Sequence, residues 1–367
     1  MVNNIRSALN KHMLLVTLTA VAVGLACIIR QPLKLLVLAV DWNTISTLTG
    51  LLLITTAVKE SGLFYVLAYR IARKISNERL LVLSLVFLAA LLSMFLTNDI
   101  ALFILVPLTL TLQQIIRRDY SRLVFFEAIA VNVGSSLTPI GNPQNIYLWH
   151  QWGISFYSFV KEMFPLVCTM FFWLVTMSVL CFESKRIRLT DNYNYTVDRK
   201  LFIMSTILLV GFVASVELGY KLYLLPVIFM SVLTVRRDVL LRCDWELIFL
   251  FIVIFVDIDL ISQFRLVTHL LNVLDFNNAK TLFLSGALFS QCISNVPAAI
   301  LLAKHTNNFK MIAYGVNVGG NGIVIGSFAN LIALHFLKRK TDYLSFHLYS
   351  LPYFVATLFS CLYLLIY

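Results

Sequence analysis

Hydrophobic residues occur along the chain in long blocks that are separated by short polar or basic segments. Many blocks hold about 20 apolar residues, enough for a helix to span the roughly 30 Å hydrocarbon core of a bilayer. Runs such as 80–95 and 247–256 do not alternate between apolar and polar residues, as the strands of a membrane barrel would. The pattern predicts spans near 13–29, 43–67, 123–148, 156–182, 201–218, 220–235, 245–262, 310–337 and 346–366.

Two further apolar stretches, 80–116 and 281–304, are interrupted by polar residues and are predicted to be re-entrant hairpins. The longest polar stretch, 183–200, lies at the centre of the chain and is predicted to be a cytoplasmic linker. The linker separates a first transmembrane half, 1–182, from a second half, 201–367. Each half is predicted to contain one hairpin and one broken helix, the latter at 123–148 and 310–337.

Composition supports a membrane protein, since 60% of the residues are hydrophobic and only 13% are charged. A soluble domain carries about 25% charged residues. The net charge of +11 would suggest a nucleic-acid partner in a soluble protein. Here most of the 29 basic residues fall in segments that a cytoplasmic N-terminus places inside, as the positive-inside rule requires. We therefore expect a multi-pass protein of the bacterial inner membrane, surrounded by lipid and with no nucleic-acid partner.

The two halves contain similar motifs at a constant offset. The first half has Asn132-Val133-Gly134, Ile140-Gly141 and Asn145, and the second has Asn317-Val318-Gly319, Ile325-Gly326 and Asn330. Upstream, Leu96-Thr97-Asn98-Asp99-Ile100-Ala101 resembles Ile293-Ser294-Asn295-Val296-Pro297-Ala298. In the predicted topology the halves cross the membrane in opposite directions. The prediction is therefore an all-α polytopic membrane protein of two inverted repeats, each with a re-entrant hairpin and a discontinuous transmembrane helix.

The predicted helix breaks concentrate the residues that unwind a helix and expose its backbone. Half of the chain's 14 glycines lie there, together with three prolines. Free amides at a new helix N-terminus suit anions, and free carbonyls at a new C-terminus suit cations such as sodium. The candidate substrate- and ion-binding residues are Thr97, Asn98, Asp99, Asn132, Ser135, Ser136, Thr138, Asn142, Asn145, Ser294, Asn295, Asn317, Asn321, Ser327 and Asn330. The alternative is that single members only satisfy the unwound backbone.

Charged residues inside the predicted spans are few, and each is costly to bury in a membrane. Asp99, at the tip of the first hairpin, is the strongest candidate for holding a cation or a proton. Its counterpart in the second half is Val296. Asp257 and Asp259 are expected near the outer surface, and Glu127 is expected to begin the first broken helix, where the helix dipole would explain it.

At these motifs the sequence resembles the CitM-type branch of the ion transporter superfamily, and within it YbiR-like inner-membrane proteins. The superfamily includes citrate carriers, arsenite permeases and NhaD-type sodium/proton antiporters. The resemblance implies that two hairpins and two broken helices enclose the site, that transport is coupled to cations or protons, and that dimers are common. Such proteins commonly have Thr-Pro after the second Gly-Asn-Gly, where this chain has Ile323 and Val324.

The leading hypothesis is a secondary active transporter for a small anion or oxyanion, coupled to protons or sodium. The alternative within transport is a sodium/proton antiporter centred on Asp99. A membrane-embedded enzyme is disfavoured, because the chain lacks H-E-x-x-H and G-x-S-x-G motifs and scatters its histidines and cysteines. We expect no cofactor beyond a coupling sodium ion or proton, no other metal, a small-molecule or ion substrate, and a homodimer as the resemblance implies.

Overall fold

The computed structural model describes residues 2–116, 118–187, 196–337 and 339–366, and α-helices dominate them. The all-α prediction for a polytopic membrane protein is confirmed. The helices are α1 (Val2–Ile29), α2 (Leu33–Ala39), α3 (Trp42–Glu60), α4 (Leu63–Lys74), α5 (Glu78–Phe95), α6 (Asn98–Ile116), α7 (Ser121–Ser135), α8 (Pro143–Trp152), α9 (Phe156–Cys181), α10 (Arg199–Glu217), α11 (Lys221–Arg236), α12 (Asp238–Arg242), α13 (Trp245–Ile261), α14 (Arg265–Val273), α15 (Ala279–Ile293), α16 (Asn295–Ala303), α17 (Phe309–Gly319), α18 (Phe328–Leu337) and α19 (Lys340–Cys361). A 3-10 turn, Val324–Gly326, precedes α18, and a π-helical segment, Leu362–Ile366, follows α19.

Helix length and apolar content are sufficient to cross a bilayer in several places. Among the residues that the structure describes, five helical segments qualify, or up to seven if each of two bent pairs counts as one span. The five are Glu78–Phe95, Asn98–Ile116, Phe156–Cys181, Arg199–Glu217 and Thr341–Ile366. The bent pairs are α2 with α3, at 59°, and α13 with α14, at 82°.

Polar side chains set the start of many helices. The Asp41 carboxylate accepts hydrogen bonds from the Asn43 and Thr44 amides at the start of α3. Asn77, Ser155 and Asp244 cap α5, α9 and α13 in the same way. Each cap satisfies a backbone donor that the helix itself leaves without a partner. Because these caps recur between apolar blocks, the helix boundaries are encoded locally in the sequence.

The predicted span 43–67 is interrupted. Helix α3 ends at Glu60, and Gly62 adopts φ +74°, a left-handed conformation that favours glycine. Helix α4 then begins at Leu63 as a separate amphipathic segment with buried and exposed sides. The span therefore corresponds to α3 alone, and α4 continues to Lys74 beyond its predicted end.

The two hairpins pack against the two broken helices in matching ways. In the first half, α5 and α6 form the hairpin, and α5 runs along α7 with Gly134 against the Ala90 carbonyl. In the second half, α15 and α16 form the hairpin, and α15 runs along α17 with Gly319 against the Ala287 carbonyl. The motif alignment of the sequence pairs Ala90 with Ala287. The packing of hairpin on helix is thus duplicated, and the inverted orientation of the two units in the membrane stays a prediction.

The halves pack closely on each other. Helices α10 and α11 of the second half lie on α3 of the first, and α18 lies on α6 and α7. The start of the predicted linker is tied to the first half, because the Glu78 amide donates to the Lys185 carbonyl (2.9 Å) and the Ile187 amide to the Ser76 carbonyl (2.9 Å). Residues 188–195 of the linker lie outside the described residues.

Candidate functional site

The first helix break meets the tip of the first hairpin. Helix α7 ends at Ser135, and α8 begins at Pro143 after an irregular segment. Asn142 caps α8 by accepting from the Asn145 amide at 2.9 Å. At the tip, the Asn98 amide donates to the Gly141 carbonyl at 3.0 Å, and the Thr138 hydroxyl donates to the Met94 carbonyl at 2.6 Å. The tip residues Thr97, Asn98 and Asp99 are therefore placed beside the unwound segment.

The second break has the same relation to the second hairpin, with a different set of side chains. Helix α17 ends at Gly319, beside the hairpin tip that Ser294 and Asn295 form. Ser294 has φ +73°, an uncommon conformation for a residue with a side chain. The Gln291 amide nitrogen donates to the Gly319 carbonyl at 2.6 Å, and its oxygen accepts from the Ile323 amide at 2.8 Å.

Four asparagines join the two breaks in a reciprocal arrangement. The Asn132 side-chain amide donates to the Asn330 side-chain oxygen at 3.0 Å. The Asn317 side-chain amide donates to the Asn145 side-chain oxygen at 2.8 Å. In the repeat alignment Asn132 corresponds to Asn317, and Asn145 to Asn330. Each half therefore bonds the other half with equivalent residues, which is the contact pattern of a twofold relation.

Two further pairs of contacts follow the same relation. Ser327 donates to the Asn132 oxygen (3.0 Å), as its counterpart Asn142 donates to the Asn317 oxygen (3.1 Å). The Ser136 hydroxyl donates to the Asn132 carbonyl (2.6 Å), and its counterpart Asn321 donates to the Asn317 carbonyl at 3.1 Å. Ser136 also donates to the Asn317 side-chain oxygen at 3.0 Å.

Asn145 and Asn330 also repair the broken backbone. The Asn145 side-chain amide donates to the carbonyls of Ser135 (3.2 Å) and Thr138 (3.1 Å). The Asn330 side-chain amide donates to the carbonyls of Gly320 (2.9 Å) and Ile323 (3.4 Å). For these two asparagines the structure supports the alternative interpretation, in which an amide satisfies carbonyls that an unwound helix leaves free.

Four helices begin at this centre. Helices α6 and α16 start at the hairpin tips, and α8 and α18 start after the breaks. Their first backbone amides lack partners within the helix, and each N-terminus carries about half a positive charge. A group of such N-termini favours an anion, as in other sites where helix ends bind phosphate or carboxylate.

All fifteen predicted residues are buried, with at most 7% of any one exposed. The structure brings the breaks and both tips into one centre that is closed to solvent in this conformation. The Asn321 side-chain oxygen is buried and has no hydrogen-bond partner among the described residues. The Ser294 hydroxyl donates to the side-chain oxygen of its neighbour Asn295 at 3.4 Å.

Comparison with known proteins identifies the family. A model of the citrate transporter family matches residues 7–308. The chain belongs to the citrate transporter family. It is 39% identical over 336 residues to the inner membrane protein YbiR of Escherichia coli, covering 91% of this chain and 90% of YbiR. It is 34% identical over 301 residues to the uncharacterized transporter MJ0456 of Methanocaldococcus jannaschii, covering 80% of this chain and 81% of MJ0456. A shorter similarity, 28% over 137 residues, links it to the human P protein and covers 16% of that protein.

Membership of the citrate transporter family establishes the general activity. The protein is an inner-membrane transporter of an ion or small molecule, and the enzyme alternative is excluded because family and relatives are transporters. The resemblance inferred from the paired motifs is confirmed.

Two polar residues at the second break escaped the sequence prediction. Gln291 lies four residues before Asn295, where the first hairpin has Met94 before Asn98. His347, on α19, accepts a hydrogen bond from the Val324 amide at 3.2 Å. These side chains satisfy the two backbone amides of Ile323 and Val324. A glutamine inside the apolar run 281–293 was the available signal for Gln291.

The helix-dipole interpretation of Glu127 is wrong. Helix α7 begins at Ser121, so Glu127 is its seventh residue, and the side chain is fully buried. One carboxyl oxygen accepts from the Thr109 hydroxyl at 2.5 Å, and the other has no hydrogen-bond partner within the described ranges of the chain. Because Glu127 lies inside α7, it is outside the first turn, where the helix dipole acts.

Replacement of Thr109 tests this contact. We expect Thr109→Val to destabilise the protein by about 1–3 kcal/mol, since a buried acceptor loses its donor. Thr109→Ser keeps the hydroxyl and should behave nearly as wild type. Unfolding midpoints of the purified variants in detergent measure the difference, and equal midpoints for Val and Ser would contradict the contact.

Proposed function

We propose that the protein is a secondary active transporter that moves a small anion or oxyanion across the inner membrane, coupled to protons or sodium. The observation that carries the proposal is the meeting of four helix N-termini, from α6, α8, α16 and α18, at the two breaks. Their combined positive potential suits an anion, while the carboxylate of Asp99 at the same centre suits a coupling cation or proton. The two halves meet at the broken helices, where one half can move against the other during transport.

The hydrogen bonds of Gln291 at the second break make the first half the better place for the coupling ion. There the Gln291 amide nitrogen already bonds the carbonyls of Gly319 and Ala287, at 2.6 and 2.9 Å. A cation at the Gly319 carbonyl would compete with this amide. In the first half the position equivalent to Gln291 is Met94, whose side chain cannot donate a hydrogen bond to a backbone carbonyl. Asp99 lies nearby. We therefore place the coupling proton or sodium ion at Asp99 and Asn98.

Transport in proteoliposomes tests the proposal. Purified wild type is reconstituted, a pH or sodium gradient is imposed, and uptake of citrate, succinate, sulfate and arsenite is followed together with internal pH. We expect one anion to accumulate only with a gradient, and Asp99→Asn to lose the accumulation because its amide neither binds a proton nor carries charge. Asp259→Asn is the control, since Asp259 pairs with Lys304 at 2.6 Å and does not belong to the breaks.

A sodium/proton antiporter is the second candidate, favoured by the carboxylate at the tip of the first hairpin. It predicts that sodium alone moves protons, that no anion accumulates, and that Asp99→Asn stops the exchange. If neither anion uptake nor exchange occurs with folded protein, both candidates are wrong. The proposal includes a homodimer, because the resemblance to the family implies one. Light scattering of the purified protein tests it.

A further inference from the structure

A second buried acid lies away from the breaks. Asp257, on α13, is 4% exposed, and among the residues that the structure describes neither of its buried carboxyl oxygens has a hydrogen-bond partner. The residues one turn before and after it on the same helix are Val253, Ile254, Leu260 and Ile261, all aliphatic. Its own helix thus offers it no polar neighbour on that face.

Two charged groups at the ends of neighbouring helices already have partners. Helix α13 packs against α1, α2, α3 and α16. Lys304, just after α16, pairs with Asp259, and Asp41 caps α3. The other titratable groups on these elements whose side chains the structure describes are Cys27 and Arg30 at the end of α1, Lys34 on α2, Lys59 and Glu60 at the far end of α3, and Glu246 at the start of α13 itself.

An ionised carboxylate in such a place would be costly, because nothing replaces the water it loses. The neutral acid avoids most of that cost. A sodium ion would need several further oxygen ligands, and the aliphatic residues on the same helix face supply none. The surroundings therefore favour a proton on Asp257 over a metal cation.

We propose that Asp257 is a proton-binding site of the second half. In the conformation described here it holds a proton as a carboxylic acid, and it releases that proton to water only when its packing opens. Helix α13 lies against α16, which begins at the second hairpin tip, where Val296 stands in place of Asp99.

The link to transport rests on the proposed function and extends it. Asp257 lies on α13, which packs against the hairpin helix α16. A hairpin that moves during the transport cycle would therefore expose Asp257 to water in one conformation and bury it in another. This gives the second half its own coupling to the pH gradient, separate from Asp99.

Infrared difference spectroscopy tests the proton site without any substrate. We expect wild type at neutral pH to show a carboxylic-acid carbonyl band that Asp257→Asn removes. Asp259→Asn should keep that band, and Glu127→Gln and Asp99→Asn identify the separate signals of other buried acids. Asp257→Asn should also unfold no earlier than wild type, because the amide is neutral like the acid. An unchanged band in Asp257→Asn overturns the proposal.

Two further measurements test the proton site and its role in transport. If Asp257→Asn does not fold, Asp257→Glu is used, and its acid band should remain but shift in frequency; an unshifted band overturns the assignment.

In proteoliposomes, Asp257→Asn should still exchange substrate across the membrane but accumulate it no further with a pH gradient than without one. Accumulation that follows the pH gradient as in wild type overturns the coupling role. If wild type transports none of the tested anions, the proposed function fails, while the infrared result still decides the proton site.

Discussion

Gly134→Ala is expected to prevent stable folding or to lower the unfolding midpoint more than any other single substitution considered for this protein. A methyl group at this position would overlap the backbone carbonyl of Ala90 and reach within 2.5 Å of the Ser93 hydroxyl. The carbonyl belongs to α5, so relief requires the two helices to separate. Overpacking costs about 1–3 kcal/mol even where side chains yield, and here backbone must move.

Two other glycines serve as comparisons for the Gly134→Ala substitution. In α1, Gly24 has no atom within 4 Å of an added methyl, so Gly24→Ala should be neutral or slightly stabilising. Gly319→Ala should be intermediate, because its methyl would meet the Ala287 carbonyl at 2.7 Å and the Ser290 side chain at 2.6 Å. Size-exclusion profiles and unfolding midpoints in detergent measure the order. A Gly134→Ala protein as stable as Gly24→Ala would show that α5 and α7 do not approach this closely.

Asn317→Ala is expected to abolish transport and to destabilise the protein strongly. The Asn317 side chain accepts from Ser136 and Asn142 and donates to Asn145 and to the Ala313 carbonyl (2.8 Å). Each buried group that loses its partner costs about 1–3 kcal/mol. The loss falls on both halves at once, because Asn317 lies in the second half and the first three of these partners in the first.

Asn321→Ala is the control on the same break. Asn321 is equally buried, but its side-chain amide donates to the Asn317 carbonyl, and its oxygen has no partner in the part of the chain that the structure describes. Its replacement should cost about 1 kcal/mol or less. Unfolding midpoints are measured for both variants, and proteoliposome uptake is measured for Asn317→Ala. Equal losses would mean that the reciprocal network does not hold the halves together.

The fold was predictable because its determinants are local. Apolar blocks of membrane-spanning length, capping residues such as Asp41 and Asn77, and glycine-rich breaks all occur within short windows. The span 43–67 shows the limit of hydropathy: the apolar run continues past Gly62, while the backbone turns there.

The contents of the candidate site were predictable, but their pairing was not. The repeat identified Asn132, Asn145, Asn317 and Asn330, since equivalent residues stand at equivalent positions. It gave no information on whether each half bonds itself or its neighbour, because that depends on tertiary packing. Gln291 was missed for a related reason: its role is to bond amides and carbonyls that only the folded second break exposes.

The reciprocal asparagine bonds have a consequence for how the two halves have diverged from a duplicated unit. A substitution at one of the four asparagines removes a partner from the opposite half, so these positions constrain each other and stay alike. Positions that serve only their own half, such as Met94 and Gln291, carry no such constraint. The four asparagines that bond across the halves are therefore alike, whereas the equivalent hairpin positions Met94 and Gln291 differ in chemistry.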